Sequence, residues 1–368
     1  MKHRCWAILT GAYPPAPGGV GDYTRVVARA LAAAGDEVHV ITSAGGADDG
    51  PVRVHAIDGV FTMLGTRALG DAIARLPARR EILVQYTPYA FGGRGINLVL
   101  PVWLRARAPH ERITVMFHEV MYPIRPGQPL RHNLLGRAHR WMAATLVRAA
   151  RRALVATPRW AEILRESCGA TCPIDWAPVP SNLPTSADPT RVAATHARLA
   201  RPDELLIGHF GAYGRWVAEM LEPIVIGLSG RVLLLGRGSR EFRARHSSAS
   251  GRIHAAGELD PTTAAEHVAA CDLLVQPYPD GVTTRRGSVM AGLALGVPVV
   301  TNAGELTEPL WAESEAIALA RGPDLSCIME CADALSRDPA RRRALSQRAK
   351  SLYRDRFAVE RTVQILRA

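Results

Sequence analysis

Cys5-Trp6-Ala7-Ile8-Leu9-Thr10-Gly11-Ala12-Tyr13-Pro14-Pro15-Ala16-Pro17-Gly18-Gly19-Val20-Gly21-Asp22-Tyr23 opens the chain, directly after Met1-Lys2-His3-Arg4. Residues 5–9 form a short apolar run that ends in turn residues, which predicts a buried parallel strand. The basic start followed by apolar residues imitates a secretion signal. The apolar run stops by Thr10, however, and Pro14-Pro15 follow with no small-residue cleavage site, so a first strand is the reading. After the glycines, residues 24–34 are amphipathic and run into Gly35, a suitable helix stop. Strand, glycine loop and helix together make the repeating unit of a doubly wound α/β sheet.

The same grammar continues outward. Runs 37–41, 82–85 and 114–117 read as further buried strands, most of them followed by a loop and a helix. It breaks at 177–189, where Ala177-Pro178-Val179-Pro180-Ser181-Asn182-Leu183-Pro184 holds three prolines and reads as an interdomain linker. Strands then restart at 205–210, 231–235, 273–276 and 297–301, and the end of the chain from about Ala344 is helical and highly charged. At 368 residues the chain is long for one domain and comfortable for two.

Composition narrows the function classes. Hydrophobic residues are 48% and charged residues 21%, and no apolar run reaches the length of a membrane span. The six cysteines include two CxxxC pairs, but neither is joined by a partner at zinc-site spacing, so reduced cytosolic thiols are expected. The net charge is +11, and Lys2 and Lys350 are the only lysines, so arginine carries the excess. Such a chain attracts phosphates, acidic lipids or acidic substrates. Aromatics are only 6% and no nucleic-acid module motif is present, so no nucleic acid is expected as a partner. A helix over 131–152 places Arg137, Arg140, Arg148 and Arg151 on one side and Leu134, Leu135, Ala138, Trp141, Met142 and Leu146 mostly on another. Its arginine face is either a solvated surface or a contact for acidic lipid or a phosphorylated acceptor.

Three segments carry chemistry. Gly18, Gly19 and Gly21 let the backbone approach a ligand, and the following helix turns its free N–H groups toward the loop, as phosphate binding requires. A tight strand-to-helix turn has the same pattern, which is neither GxGxxG nor a P-loop. Phe117-His118-Glu119 closes a strand, and ligands of open α/β sheets lie beyond the carboxyl ends of strands. Asp280-Gly281-Val282-Thr283-Thr284-Arg285-Arg286-Gly287-Ser288 gathers hydroxyls and two arginines before the helix at 289–295, a combination suited to a diphosphate.

The order of these pieces resembles the GT-B, family-4-type retaining glycosyltransferases over nearly the whole chain. The resemblance rests on Pro-Pro-x-x-Gly-Gly-Val-Gly-Asp-Tyr, the strand ending in His118, Gly257-Glu258-Leu259, and Ala291-Gly292-Leu293-Ala294-Leu295-Gly296-Val297-Pro298-Val299-Val300. It implies two Rossmann-like domains facing each other across a cleft. These would be an acceptor domain at 1–183, a nucleotide-sugar domain at 184–345, and a terminal helical segment at 346–368 that crosses back onto the first. It implies transfer of a hexosyl-type sugar from a nucleotide-diphosphate sugar to an acceptor hydroxyl with retention, independent of a metal and of any cofactor. His118, Asp280 and Glu119 would be catalytic, with Glu119 either orienting His118 or merely ending the strand. Gly18, Gly19, Gly21, Arg215, Thr283, Thr284, Arg285, Arg286 and Ser288 would hold donor and phosphate. Asp22, Tyr23, Tyr86 and Tyr89 would face the acceptor, which is a glycan, a lipid-linked glycan or a small molecule. The expected place is the cytoplasm, including the inner face of an acidic membrane.

Two departures mark a diverged subfamily. The family's last motif carries a Glu-x7-Glu pair, and here those positions are Thr283 and Ala291. Where the family has an Arg and a Lys after the first strand of the second domain, this chain has Ala212 and Trp216, with Arg215 the nearest cation. A sugar-nucleotide epimerase or hydrolase on the same fold, and a non-catalytic nucleotide-sugar or glycan binder, are therefore the alternatives. A nicotinamide dehydrogenase is disfavoured by the missing GxGxxG.

Overall fold

In a computed structural model of the chain, residues 3–46, 49–245, 251–321 and 324–368 are described. The fold divides into two compact units, one made of Met1–Pro178 with Val359–Ala368 and the other of Val179–Ala358. The first unit contains β1 (Cys5–Thr10), α1 (Gly19–Ala33), β2 (Glu37–Thr42), β3 (Val52–Ala56), α2 (Thr66–Ala74) and β4 (Arg80–Tyr86). It continues with α3 (Val99–Arg107), β5 (Arg112–Phe117), α4 (Leu130–Ala149), β6 (Arg152–Val155), α5 (Pro158–Cys168) and β7 (Ile174–Trp176). The second runs through α6 (Pro189–Leu199), β8 (Leu206–Phe210), α7 (Arg215–Gly227), β9 (Arg231–Leu235), α8 (Ser239–Arg245), β10 (Ile253–Gly257) and α9 (Pro261–Ala269). It closes with β11 (Leu273–Gln276), α10 (Gly287–Leu295), β12 (Val299–Asn302), α11 (Leu310–Glu313), β13 (Ala318–Ala320), α12 (Leu325–Ser336) and α13 (Pro339–Leu352). The final helix, α14 (Val359–Arg367), belongs to the first unit and packs on α1.

Each unit is built on one parallel sheet. Their orders are β3-β2-β1-β4-β5-β6-β7 and β10-β9-β8-β11-β12-β13. In each, the order reverses beside the unit's first strand, between β1 and β4 and between β8 and β11. Every residue of β1 is buried, including Trp6, Ile8 and Leu9. In the second unit Ile207, Leu273, Val275 and Val300 form one core with Ile328 and Leu335 of α12. A fully buried aliphatic side chain of this kind contributes about 1.5–3 kcal/mol, which explains why the strands read as near-continuous apolar runs.

Local departures from the sequence expectations have physical reasons. α1 begins at Gly19, five residues before the expected start at Thr24, so Gly19 and Gly21 are its first turn and Gly18 its N-cap. Glycine is a poor helix former, but Asp22 in that turn complements the helix dipole. Gly35 ends the helix with φ 88°. The proline stretch after Pro178 bonds within the second unit: Val179 N donates to Thr284 O at 3.0 Å, and Ser181 N donates to Tyr353 Oη at 3.1 Å. On α4 the expected faces are corrected. Leu134 and Trp141 are 54% and 45% exposed, whereas Met142 and Leu146 are buried. Seven residues fall about 20° short of two turns, so Trp141 lies nearly in line with Leu134, on the side of Arg137 and Arg148. All six cysteines are unbridged. Among the described residues no helix is long and apolar enough to cross a membrane.

Candidate active site

The carboxyl ends of β1, β4 and β5 gather most of the expected residues of the first unit. No side chain caps α1, so its leading N–H groups are available to an anion. A methyl group on Gly18 or Gly19 would meet nothing within 4 Å, whereas one on Gly21 would lie 2.9 Å from Ala12 O. Gly21 is thus required by packing, while Gly18 and Gly19 border open space. His118 is buried and held on three sides. Its Nε2 lies 2.8 Å from Gln85 Oε1, Tyr23 packs edge-on at 4.7 Å, and Trp160 Nε1 donates to its carbonyl at 3.0 Å. Burial lowers the His118 pKa to about 3, so the ring is neutral at physiological pH. Because Gln85 Oε1 can only accept, the ring proton sits on Nε2 and Nδ1 is an acceptor.

This geometry alters several expected roles. Gln85 is the partner found at the His118 ring, while the half-buried Glu119 accepts from Thr87 Oγ1 at 3.1 Å. Tyr23 is buried and serves as packing for His118. Tyr86 is also a core residue, edge-on to Phe117, with its hydroxyl buried. Burial pushes both phenols far above their ordinary pKa. Asp22 is half-buried in the first turn of α1, and Tyr89 is 52% exposed beside His139.

In the second unit the loop from β11 to α10 is tied from within. Asp280 bonds to both Arg285 and Arg286. One carboxylate between two guanidiniums leaves a net charge of about +1 (+2 − 1) on this trio. The Arg286 guanidinium also stacks on Tyr278 at 4.5 Å, and burial together with Arg285 lowers its pKa. Ser288 stands at the uncapped start of α10 with its Oγ 2.6 Å from Tyr278 Oη. Thr284 has a different role from the expected one. Its N–H and hydroxyl donate to Glu308, at 3.0 and 2.7 Å, and Glu308 also accepts from Trp311 Nε1 at 2.7 Å. Thr284 is therefore part of a buried knot that fixes the loop. Thr283 is fully buried, and among the described residues its hydroxyl has no hydrogen-bond partner. Arg215 starts α7 with its side chain 78% exposed and pairs with Glu219 at 2.8 Å.

Sequence reasoning missed four residues: Gln85, His209, Gln276 and Glu308. The first three are polar residues at the carboxyl ends of apolar strands, a placement that costs free energy unless they are bonded. His209 Nδ1 donates to Val275 O at 2.9 Å, and burial lowers its pKa to about 4. Its Nε2 is consequently an acceptor, and it has no partner among the described residues. Gln276 Nε2 donates to Phe210 O at 3.1 Å, while its Oε1 has no partner among the described residues. Among the described residues, these two buried acceptors and the Thr283 hydroxyl have no partner, and a methyl group on Gly211 would lie 3.7 Å from His209 Nε2 and 4.0 Å from Ser288 Oγ.

The chain is similar to known proteins in two ways. Residues 17–179 match Glycosyltransferase Family 4. Sucrose-phosphate synthase from Thermosynechococcus elongatus superposes with a TM-score of 0.77 at 17% identity, covering 99% of this chain and 97% of that one. WaaG, a glycosyltransferase involved in lipopolysaccharide biosynthesis, gives 0.72 at 15% identity over 98% and 99%. Anabaena HepE in complex with UDP-glucose gives 0.67 at 15% identity over 99% and 98%. No curated protein matches by sequence. The family match spans residues 17–179 of the first unit, and over its whole length the chain has the GT-B glycosyltransferase fold.

Proposed function

We propose that this protein transfers a sugar from a nucleotide-diphosphate sugar to an acceptor hydroxyl, with retention and without a metal in the transfer step. The observation that carries the reading is at the start of α10. An uncapped helix N-terminus, a net positive Asp280–Arg285–Arg286 trio and the unbonded acceptors of His209 and Gln276 adjoin one strand reversal. The cationic end suits a diphosphate, and the buried acceptors suit hydroxyl groups of a ribose or sugar. HepE, which has the same fold, binds UDP-glucose, and this chain is proposed to bind a donor of that class.

In the transfer step the bond from the anomeric carbon to the diphosphate breaks and the electron pair leaves with the phosphate. The acceptor oxygen bonds to the same carbon, and its proton passes to the departing phosphate oxygen. Charge grows on that oxygen, where arginines and backbone N–H groups stabilise it. His118 is too weak a base to take the proton at neutral pH; its Nδ1 instead accepts from a sugar hydroxyl and positions it. No Asp-x-Asp motif is present in the sequence. The acceptor side includes the outer face of α4, where Leu130, Leu134 and Trp141 are exposed among Arg137, Arg140 and Arg148. Such a face suits a lipid-linked acceptor at an acidic membrane.

A second reading, a nucleotide-sugar binder that does not transfer, is favoured by one observation: Ala291 and Thr283 are both fully buried where the family carries glutamates. Calorimetry with nucleoside diphosphates, followed by incubation of a nucleotide sugar with and without acceptors, separates these. Arg286→Ala and Arg285→Ala are each expected to weaken binding at least tenfold, and unchanged affinity in both rejects the phosphate assignment. Turnover only with acceptor supports transfer. Turnover without acceptor identifies an epimerase or hydrolase, and binding without turnover identifies the binder.

A further inference from the structure

A polar cluster lies at the amino ends of the strands of the first sheet, the opposite end from the site described above. Cys5 and Glu37 are the first residues of β1 and β2 and stand directly across from each other in the parallel register. His39 follows Glu37 by two positions and so shares its face of the sheet. Cys5 and His39 are buried, and Glu37 is the solvent-side member of the group. The Cys5 sulfur, a Glu37 carboxylate oxygen and a His39 ring nitrogen all lie within 4.8 Å of one another, with His39 Nε2 to Glu37 Oε1 at 3.0 Å. The other ring nitrogen of His39 is 2.9 Å from His55 Nε2, and the two imidazoles stack at 5.2 Å.

One thiol, one imidazole and one carboxylate form a donor set suited to zinc. Zinc bonds of about 2.0–2.3 Å place tetrahedral donors about 3.5 Å apart, so the three groups close on an ion through small side-chain rotations. With its ring proton on Nδ1, His39 donates to His55 and offers Nε2 to the metal, the outer support that zinc-bound histidines typically have. Two cations oppose a dication here. Arg53 lies 3.3 Å from Glu37, and Arg80 stands across from Cys5 on β4. Arg53 is 65% exposed and Arg80 is bound to Glu111, so the first can swing away and the second is already neutralised.

We propose that Cys5, Glu37 and His39 bind one zinc ion as a structural staple between β1 and β2, with His55 positioning His39 and a water in the fourth place. The fold assembles this site from residues that have no zinc-type spacing in the sequence. It is separate from the transfer chemistry, because it lies toward the amino ends of β1 and β2, whereas the glycine loop follows the carboxyl end of β1 and His118 follows that of the parallel strand β5.

The test uses the full chain without an affinity tag, stripped by a chelator and titrated with zinc against a chromophoric competitor. One zinc per chain is expected. Cys5→Ala and His39→Ala should each lose at least a hundredfold in affinity, and His55→Ala about 10–100-fold. Cobalt substitution should give the wild type a thiolate-to-metal charge-transfer band. No stoichiometric zinc, or equal zinc affinity in folded Cys5→Ala and His39→Ala, overturns the proposal. Should those variants fail to fold, the wild-type cobalt spectrum decides alone: a thiolate band supports the site and its absence overturns it. Calorimetry with nucleoside diphosphates on zinc-loaded and stripped protein should give the same affinity, so failure of the zinc site leaves the transferase reading intact.

Discussion

His118 and the glycines before Asp22 show how single residues divide between structure and chemistry. Burial lowers the His118 pKa from its ordinary 6.5 to about 3 and that of His209 to about 4. Between these values and 6.5 the unfolded chain binds protons that the folded chain does not. Stability is therefore complete above pH 6.5 and declines as pH falls through that window, by about 1.4 kcal/mol per unit for each histidine. The urea midpoint should drop between pH 7 and pH 5, and His118→Asn should flatten this dependence whatever its own stability. Equal slopes in the two proteins would reject a neutral, buried His118. The glycines make a second pair of expectations. Gly18→Ala and Gly19→Ala add a methyl group where no atom lies within 4 Å, so they should fold within about 0.5 kcal/mol of wild type while weakening ligand turnover. Gly21→Ala presses on the Ala12 carbonyl and should cost about 1–3 kcal/mol. Urea denaturation beside a turnover assay reads both. Loss of stability in all three variants would mean that the loop is glycine-rich for packing alone.

At the scale of elements, α4 joins an inner face that holds the first unit together to an outer face that is largely exposed. Met142, Leu146 and Val147 are buried, while Leu130, Leu134 and Trp141 are exposed among arginines. Exposed large apolar residues mixed with cations favour an acidic lipid surface. The protein should co-sediment with vesicles containing anionic phospholipid and should release them as salt rises. Trp141→Asp with Leu134→Asp should abolish that binding and leave nucleoside diphosphate affinity unchanged. Wild-type protein that ignores anionic vesicles at low salt would dismiss the membrane contact. The strands were legible in the sequence because a parallel strand covered on both faces reads as an apolar run, as 82–85 and 273–276 do. The outer face of α4 was misread because Trp141 looks like core until the drift of the helix repeat is counted. The start of α1 was misread because three glycines do not look like a helix. Gln85, His209 and Gln276 were passed over as single polar letters in apolar words, yet they stand at the strand ends where the sheet order reverses. Glu308 was hidden differently: nothing near it in sequence shows that it bonds Thr284, twenty-four residues earlier.

At the scale of the whole molecule, the chain completes its first unit only with its last residues. Residues 1–178 and 359–368 form one unit, although 180 residues of the other unit separate them (358 − 178). Arg152 Nη1 donates to Ile365 O at 2.6 Å, and Arg4 bonds to the carbonyls of Leu366 and Arg367. Arg367 Nη2 lies 3.3 Å from the carboxylate of Asp36, a side chain with no exposure, and its Nη1 donates to Ala34 O at 3.1 Å. Trp6 Nε1 and Arg4 N also donate to Asp36, at 3.0 and 3.1 Å, but neither carries a charge. Deleting residues 359–368 therefore leaves a buried carboxylate without its cation and several guanidinium N–H groups without carbonyls. Removing one partner of a buried pair costs about 3–5 kcal/mol, and the lost burial of Leu366 adds to it. Calorimetry on the full chain and on a chain ending at Ala358 should show a marked fall in the first unit's transition. The second unit, whose own contacts are intact, should keep its transition and its affinity for nucleoside diphosphates. Arg367→Ala should reproduce part of the loss, since it removes the cation and leaves the helix. A truncated chain that melts as the full one does would mean that α14 rests on the first unit without supporting it.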